Sequence, residues 1–380
     1  MMFQLSDTHR MIRETARQFA AEQLAPGVIG RDERAEFPHE QIKALAELGF
    51  MGMMVPEEWG GAGLDTVSYV LAMEEISRVD ASTGVIMSVN NSLVCYGINK
   101  YGTDDQKERY LRDLAAGRKL GAFALSEPEA GSDASNQHTH ATADGGDYIL
   151  NGTKNWITNG STADVVLVMA ATDRSKGPKG ISTFIVDKGT PGFTVAKKEK
   201  KLGIRSSDTV SLSFQDCRVP EANRVGAEGE GFRFAMSTLE GGRIGIAAQA
   251  LGIAQASLDA SVGYAKERKA FGKTIAEFQA IQFKLADMAT NVEAARMLTL
   301  QAAWLKDQDR PFGQAASMAK LYASKIAVQA ALEAIQIHGG YGYVQEYQVE
   351  RYLRDAKITE IYEGTSEIQR IVIARSLLKD

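Results

Sequence analysis

The chain has 380 residues, 44% of them hydrophobic, enough to bury a large core and more than a single domain usually holds. Its 43 basic and 48 acidic residues leave a net charge of -5 spread along the chain, so no basic patch marks a nucleic-acid partner. Only Cys95 and Cys217 are present, far apart and outside any C-x-x-C, which argues against a disulfide framework or a thiolate metal site and fits a reducing cytoplasm.

No apolar run approaches a membrane span, and the N-terminus mixes Asp7, Arg10, Arg13 and Glu14 with apolar residues instead of showing a signal peptide. The expectation is a soluble chain with no stable membrane insertion, cytoplasmic if bacterial and in the mitochondrial matrix if eukaryotic and processed. From Ser6 to about Arg118 the pattern is helical, as at Ile42, Leu45, Ala46 and Leu48 and at Val70, Leu71, Met73 and Ile76, with punctuation at Gly60-Gly61-Ala62-Gly63. From about Leu120 to Val225 the texture is β. Asn151-Gly152 and Asn159-Gly160, both turn signals, bracket a short strand-like run through Trp156 and Ile157. Further strands are expected at Val165 to Met169, at Ile181 to Val186, and through Val210, Leu212 and Phe214. From Gly231 helical periodicity returns in long Ala-rich stretches such as Ala315 to Ile337, stopped by Gly339-Gly340. The fold class expected is α+β with segregated parts: an N-terminal α-helical domain over 1–119, a central β domain over 120–229 and a C-terminal helical domain over 230–380.

Near the end of the chain, Ile358, Ile361 and Tyr362 share one face of a helical segment, Gly364 interrupts it, and Ser366 with Gln369 has the S-x-x-Q spacing of a capping box. Glu363 sits on that break among apolar neighbours. A desolvated carboxylate has a raised pKa and takes a proton from carbon better than an exposed one does. Other chemistries lack support. There is no G-x-G-x-x-G for a Rossmann site and no G-x-S-x-G for a hydrolase. His138 and His140 alternate along a strand-like stretch without a third ligand nearby, so no metal is expected.

The run Ile361-Tyr362-Glu363-Gly364-Thr365-Ser366-Glu367-Ile368-Gln369-Arg370, with the further segments below, resembles the acyl-CoA dehydrogenase family of flavoproteins over nearly the whole chain, and within it the short-chain, butyryl-CoA-type branch. The resemblance implies three parts, the last a four-helix bundle that drives homotetramer assembly, with FAD as cofactor and Glu363 as catalytic base. The segment Phe123 to Asp133 resembles the first flavin signature, which places Phe123, Leu125, Ser126, Gly131 and Ser132 at the cofactor and Ser132 also at the CoA substrate. Glu129 stands where the family commonly has Gly, and would be strained there if the backbone required positive φ. Trp156-Ile157-Thr158 resembles the segment beside the isoalloxazine, with Thr158 hydrogen-bonding the hydride-accepting nitrogen. Arg268 to Lys273 resembles the R-x-x-F-G-K segment, so Arg268, Phe271 and the following Gln279 are implied at FAD, where a guanidinium fork matches a pyrophosphate. Gln336, Ile337, Gly339 and Gly340 are implied at the adenosine side, from a neighbouring subunit. Thr365, Ser366 and Glu367 complete that site at a helix N-terminus.

The activity implied is α,β-dehydrogenation of a short-chain acyl-CoA to the trans-2-enoyl-CoA. Glu363 takes the α-proton, a hydride passes to FAD, and electrons go on to an electron-transfer flavoprotein. Substrate contacts are implied for Ser132, Glu240, Gly241, Gly242, Arg243 and Gly364. In part of the family the base comes from the position matching Gly242; Glu240 lies two residues earlier, about 200° around a helix, and is expected to point away. The alternatives are an acyl-CoA oxidase that hands electrons to oxygen, and a non-enzymatic assembly protein on the same fold, which would be expected to lack the base. Glutaryl-CoA relatives carry an Arg in the region matching Gly84, Val85 and Ile86, so a dicarboxylyl substrate is disfavoured.

Overall fold

The computed structural model describes residues 4–379. The first part is helical: α1 (Asp7–Phe19), α2 (Val28–Arg34), α3 (His39–Glu47), α4 (Thr66–Val79), α5 (Ala81–Ser88), α6 (Tyr96–Tyr101) and the short α7 (Asp104–Gln106) and α8 (Arg112–Ala115). A π-helical stretch, Val89–Cys95, joins α5 to α6 without a break in direction of the helical backbone. Helix α4 is buried along nearly its whole length and needs its N-terminal amides satisfied. Two carboxylates do so: Asp65 accepts from the Ser68 N–H at 2.7 Å, and Asp307 accepts from Thr66 and Val67 at 2.8 and 3.1 Å.

The middle part is one sheet built from β1 (Gly121–Ala124), β2 (His140–Asp144), β3 (Asp147–Thr158), β4 (Val165–Ala171), β5 (Ile181–Asp187), β6 (Phe193–Lys198), β7 (Thr209–Pro220) and β8 (Arg224–Val225). The order is β6-β7-β3-β2-β4-β5-β8, with β1 parallel to β4. Leu150, Val166, Val168, Phe184, Leu212 and Phe214 form its separate core. The second Asn-Gly pair is a turn, with Asn159 at φ 64° and its carbonyl accepting from Thr162. The first is not. Asn151-Gly152 lies inside the twelve-residue β3, at a register shift against β7, and Gly152 is required because a Cβ would stand 2.5 Å from Thr139 Oγ1.

The last part comprises α9 (Gly231–Glu267), a hairpin of β9 (Lys269–Ala270) and β10 (Lys273–Thr274), then α10 (Gln279–Asp307), α11 (Gly313–His338), α12 (Val349–Thr359) and α13 (Ser366–Leu377). Helix α9 is buried without interruption from Gly241 to Ala254 and packs on α11, α4 and α10, joining the helices of the two ends into one core. The α+β class with helices, sheet and helices in that order is as expected. The capping box is a correction: Thr365, not Ser366, caps α13 and accepts from Ile368 N, so Ser366 is already helical and Gln369 is free for another task. Glu129 lies outside the left-handed region, so its replacement of Gly brings no backbone strain. Among the described residues no helix is long and apolar enough to cross a membrane, and no cluster of three metal-ligating side chains exists.

Candidate active site

Glu363 lies in the connection between α12 and α13 with φ 53°, and Gly364 follows at φ 91°. Its carboxylate rests on α9. A Cβ built on Gly242 would come 2.1 Å from Glu363 Oε2 and 2.9 Å from Leu93 Cδ2, so the helix has glycine where the acid lies against it. Oε2 is shielded from solvent and accepts no hydrogen bond. Burial pushes the carboxyl up to about 7, against the opposing fields of Lys320 and Arg243. An acid held this way exchanges its proton near neutral pH and, once ionised, has an unsatisfied oxygen to offer a proton donor.

The surrounding helices fix this position. Tyr362 donates its hydroxyl to Gln249 of α9, whose amide donates at 2.7 Å to the Ala81 carbonyl at the start of α5. Arg243 is buried, with Nη1 donating to Ser317 of α11 at 3.3 Å and Nε unpartnered. Its neighbours Glu240 and Gly241 turn elsewhere. Glu240 lies against Gly313, where a Cβ would be 3.0 Å from its Oε1, and Gly241 faces Lys306. Glu240 therefore points away from Glu363, as its helical phase requires.

In the sheet, the loop after β1 runs beside β3, with Asn155 N–H donating to Ser126 at 2.9 Å. Trp156 follows at φ 65°, where the β3–β7 register slips, and its indole is 61% exposed while Ile157 turns into the core. Thr158 closes the strand. Phe123 and Leu125 are buried, whereas Gly131 and Ser132 are exposed. The loop is anchored from beneath by a buried ion pair, Lys154 with Glu127 at 2.8 Å; Lys154 also donates to Leu125 O, and Glu127 also accepts from Thr139 N.

A third group gathers at the far end of α11. Arg268, Ile337, His338, Gly339 and Gly340 line a cavity of about 770 Å³ with Tyr264 and Tyr341, and the Arg268 guanidinium lies 5.4 Å from the Tyr341 ring centre. Phe271, at φ 52° and 95% exposed, projects from the β9–β10 turn outside that cavity; Gln279 opens α10 and Gln336 lies on α11 just before the cavity residues. Thr365, Ser366 and Glu367 form the start of α13, next to Glu363 in the chain.

Three family models match consecutive parts of the chain: Acyl-CoA dehydrogenase, N-terminal domain over residues 6–118, middle domain over 122–217 and C-terminal domain over 229–378. The chain belongs to the acyl-CoA dehydrogenase family. The short-chain specific acyl-CoA dehydrogenase of Rattus norvegicus mitochondria is 55% identical over 376 residues, 99% of this chain and 91% of that protein. The solved structure of butyryl-CoA dehydrogenase from Megasphaera elsdenii superposes with a TM-score of 0.98 at 49% identity, covering 100% of each chain. A chain from a structure titled for the electron transferring flavoprotein of Acidaminococcus fermentans superposes at 0.99 with 52% identity, again over 100% of each.

The flavin dinucleotide of acyl-CoA dehydrogenases fits the residues present. A Cβ at Gly131 or Gly340 would meet nothing within 4 Å in this chain, which leaves room for a group outside it. The exposed indole of Trp156 offers a flat apolar wall, and Arg268 beside an aromatic-lined cavity offers the cation that a pyrophosphate needs. Two residues beside Glu363 escaped the sequence reading. Lys320 lies on α11 in the small-residue stripe of Ala316, Ala319, Ala323 and Ala327, where a lysine is the anomaly that could have marked it. Gln369 was assigned to a cap, while its amide in fact donates to the Glu363 and Gly364 carbonyls.

Proposed function

We propose that this acyl-CoA dehydrogenase converts short-chain acyl-CoA thioesters to trans-2-enoyl-CoA with Glu363 as the α-proton base. One observation carries the reading: a carboxylate that is desolvated, unpartnered and poised near neutral pH, set on a glycine of α9. FAD, when bound, supplies the acceptor for the hydride that leaves the β-carbon. The Ser126 loop and Trp156 to Thr158 would hold its ring, and Arg268, Phe271, Gln279 and the Gln336–Gly340 segment of a neighbouring subunit, with Thr365 to Glu367, its phosphates and adenosine. The backbone N–H of Glu363 would donate to the thioester oxygen as negative charge grows there, while Ser132, Gly242, Arg243 and Gly364 would contact the substrate.

A short pocket is supported by packing one turn further along α9. A Cβ at Gly245 would stand 2.6 Å from Tyr69 Oη and 2.7 Å from Ser88 Oγ, so that depth is already filled. The names of the rat and Megasphaera relatives agree with a short acyl chain. An electron-transfer flavoprotein is the redox partner, supported by the Acidaminococcus likeness. Exposed Phe271, Phe283 and Tyr343 support burial of these faces in a homotetramer. The free, buried Cys95 and Cys217 fit a reducing cytoplasm.

Titrating the FAD-loaded protein anaerobically with acyl-CoAs of increasing length tests the reading. Flavin should bleach with short chains and weaken as the chain lengthens, and the reduced protein should reoxidise slowly on admission of air. No bleaching with any length would remove the activity, and rapid reoxidation would make the protein an oxidase.

A further inference from the structure

The backbone of Glu363 is held at φ 53°, a left-handed conformation that L-residues avoid, and such a conformation persists only where its surroundings impose it. What imposes it comes from the two helices that flank the loop. From α13, Gln369 Nε2 donates to the Glu363 carbonyl at 3.2 Å and to the Gly364 carbonyl at 2.8 Å. From α11, Lys320 Nζ donates to the same Gly364 carbonyl at 2.7 Å. The pieces interlock, since a Cβ at Gly364 would stand 2.7 Å from Gln369 Nε2.

Lys320 is 0% exposed, and its one hydrogen bond is to that carbonyl. A buried ammonium with so few partners is expensive to maintain where packing alone is needed. A methionine would fill the same space among the alanines of α11 without that cost. The charge therefore has a task, and the acid beside it is the group that benefits. We propose that Lys320 and Gln369 are positioning residues for Glu363: Gln369 and Lys320 fix the two loop carbonyls so that the carboxylate stays on Gly242, and the Lys320 ammonium, held on the adjacent Gly364 carbonyl, places a positive charge beside it.

The inference rests on the reading of Glu363 as the base. Burial pulls the Lys320 ammonium down to about 8, with Glu363 as the strongest opposing charge and Glu360 and Glu367 weaker ones; Arg243 repels it. Around Glu363 stand Lys320 from α11, Arg243 from α9, Tyr69 from α4 and the adjacent Tyr362. Burial pushes both tyrosines up, so they stay neutral across the working range and the two cations set the field.

The test is rapid anaerobic mixing of the FAD-loaded protein with butyryl-CoA across pH, reading the limiting rate of flavin reduction and the acyl-CoA affinity separately. Gln369→Met should lower the limiting rate at least about tenfold with the pH midpoint unmoved, because position is lost and charge is kept. Lys320→Gln should move the midpoint upward by about one unit with the plateau rate within about threefold, and Lys320→Met should show both changes. Affinity for butyryl-CoA should stay within about threefold in all three. Unmoved midpoints in both lysine variants, or a loss confined to affinity, would overturn the proposal. If Lys320→Met does not take up FAD, the midpoint of Lys320→Gln decides; if neither does, Lys320 is a folding residue and the proposal fails. Glu363→Gln in the same assay separates the two claims. If it still reduces flavin the base assignment falls, whereas an inactive Glu363→Gln with unmoved lysine-variant midpoints removes only the positioning role.

Discussion

As the proposed base Glu363 would work only when ionised, and burial pushes it up to about 7, so the sign of its pH response follows. Flavin reduction should be slow in acid and rise as pH passes through about 7; a midpoint in the ordinary carboxylate range, seen by rapid mixing, would show that the acid is not desolvated in the working protein. The contact with Gly242 yields a second expectation. Gly242→Glu alone forces two carboxylates into the space of one and should abolish reduction. Combined with Glu363→Gly it should exceed the activity of Glu363→Gly alone by at least about tenfold, because a carboxylate again reaches the same carbon. Glu363 was readable as a candidate base because the run Ile361 to Arg370 is contiguous in the chain and carries the family resemblance; its apolar flanks and the glycine after it would not have sufficed alone. Lys320 was not, since its bond to Gly364 spans 44 residues and only folding reveals which helix face meets the loop.

At the level of elements, period and glycine punctuation carry most of the information, and errors fall where local chemistry has two solutions. Asn151-Gly152 has the composition of a hairpin turn, yet the strand continues through it as a bulge because Gly152 must pass close to Thr139. Thr365 and Ser366 are both capping residues, and nothing local decides that the threonine comes first. The Lys154–Glu127 pair was likewise invisible, although it ties the Ser126 loop to β3. Lys154→Met leaves buried Glu127 with only the His138 and Thr139 N–H groups and no counter-charge, and should cost about 3–5 kcal/mol in chemical unfolding at fixed FAD concentration. A loss below about 1 kcal/mol would mean that water or relaxation replaces the ammonium.

For the whole molecule, the parts are tied by polar links as well as by α9. Arg354 of α12 donates to Glu350 at 2.6 Å, to Asp32 of the first helical part at 2.8 Å and to Leu202 of the sheet part, while Asp355 accepts from Ile204 N. Because α12 leads directly into the Glu363 loop, Arg354→Met should loosen the site as well as the fold. Faster hydrogen exchange is expected together around Asp32, Leu202 to Ile204 and the Glu363 loop; a change confined to α12 would show that the links do not act jointly. The order of parts was readable from composition, because strands and helices are segregated along the chain, but these cross-links join residues that no local pattern relates. The central claim is tested most directly by anaerobic titration of the FAD-loaded Glu363→Gln protein with butyryl-CoA. The account predicts that acyl-CoA and FAD still bind and the flavin stays oxidised, whereas bleaching at a rate near that of the unaltered protein would show that another group removes the proton.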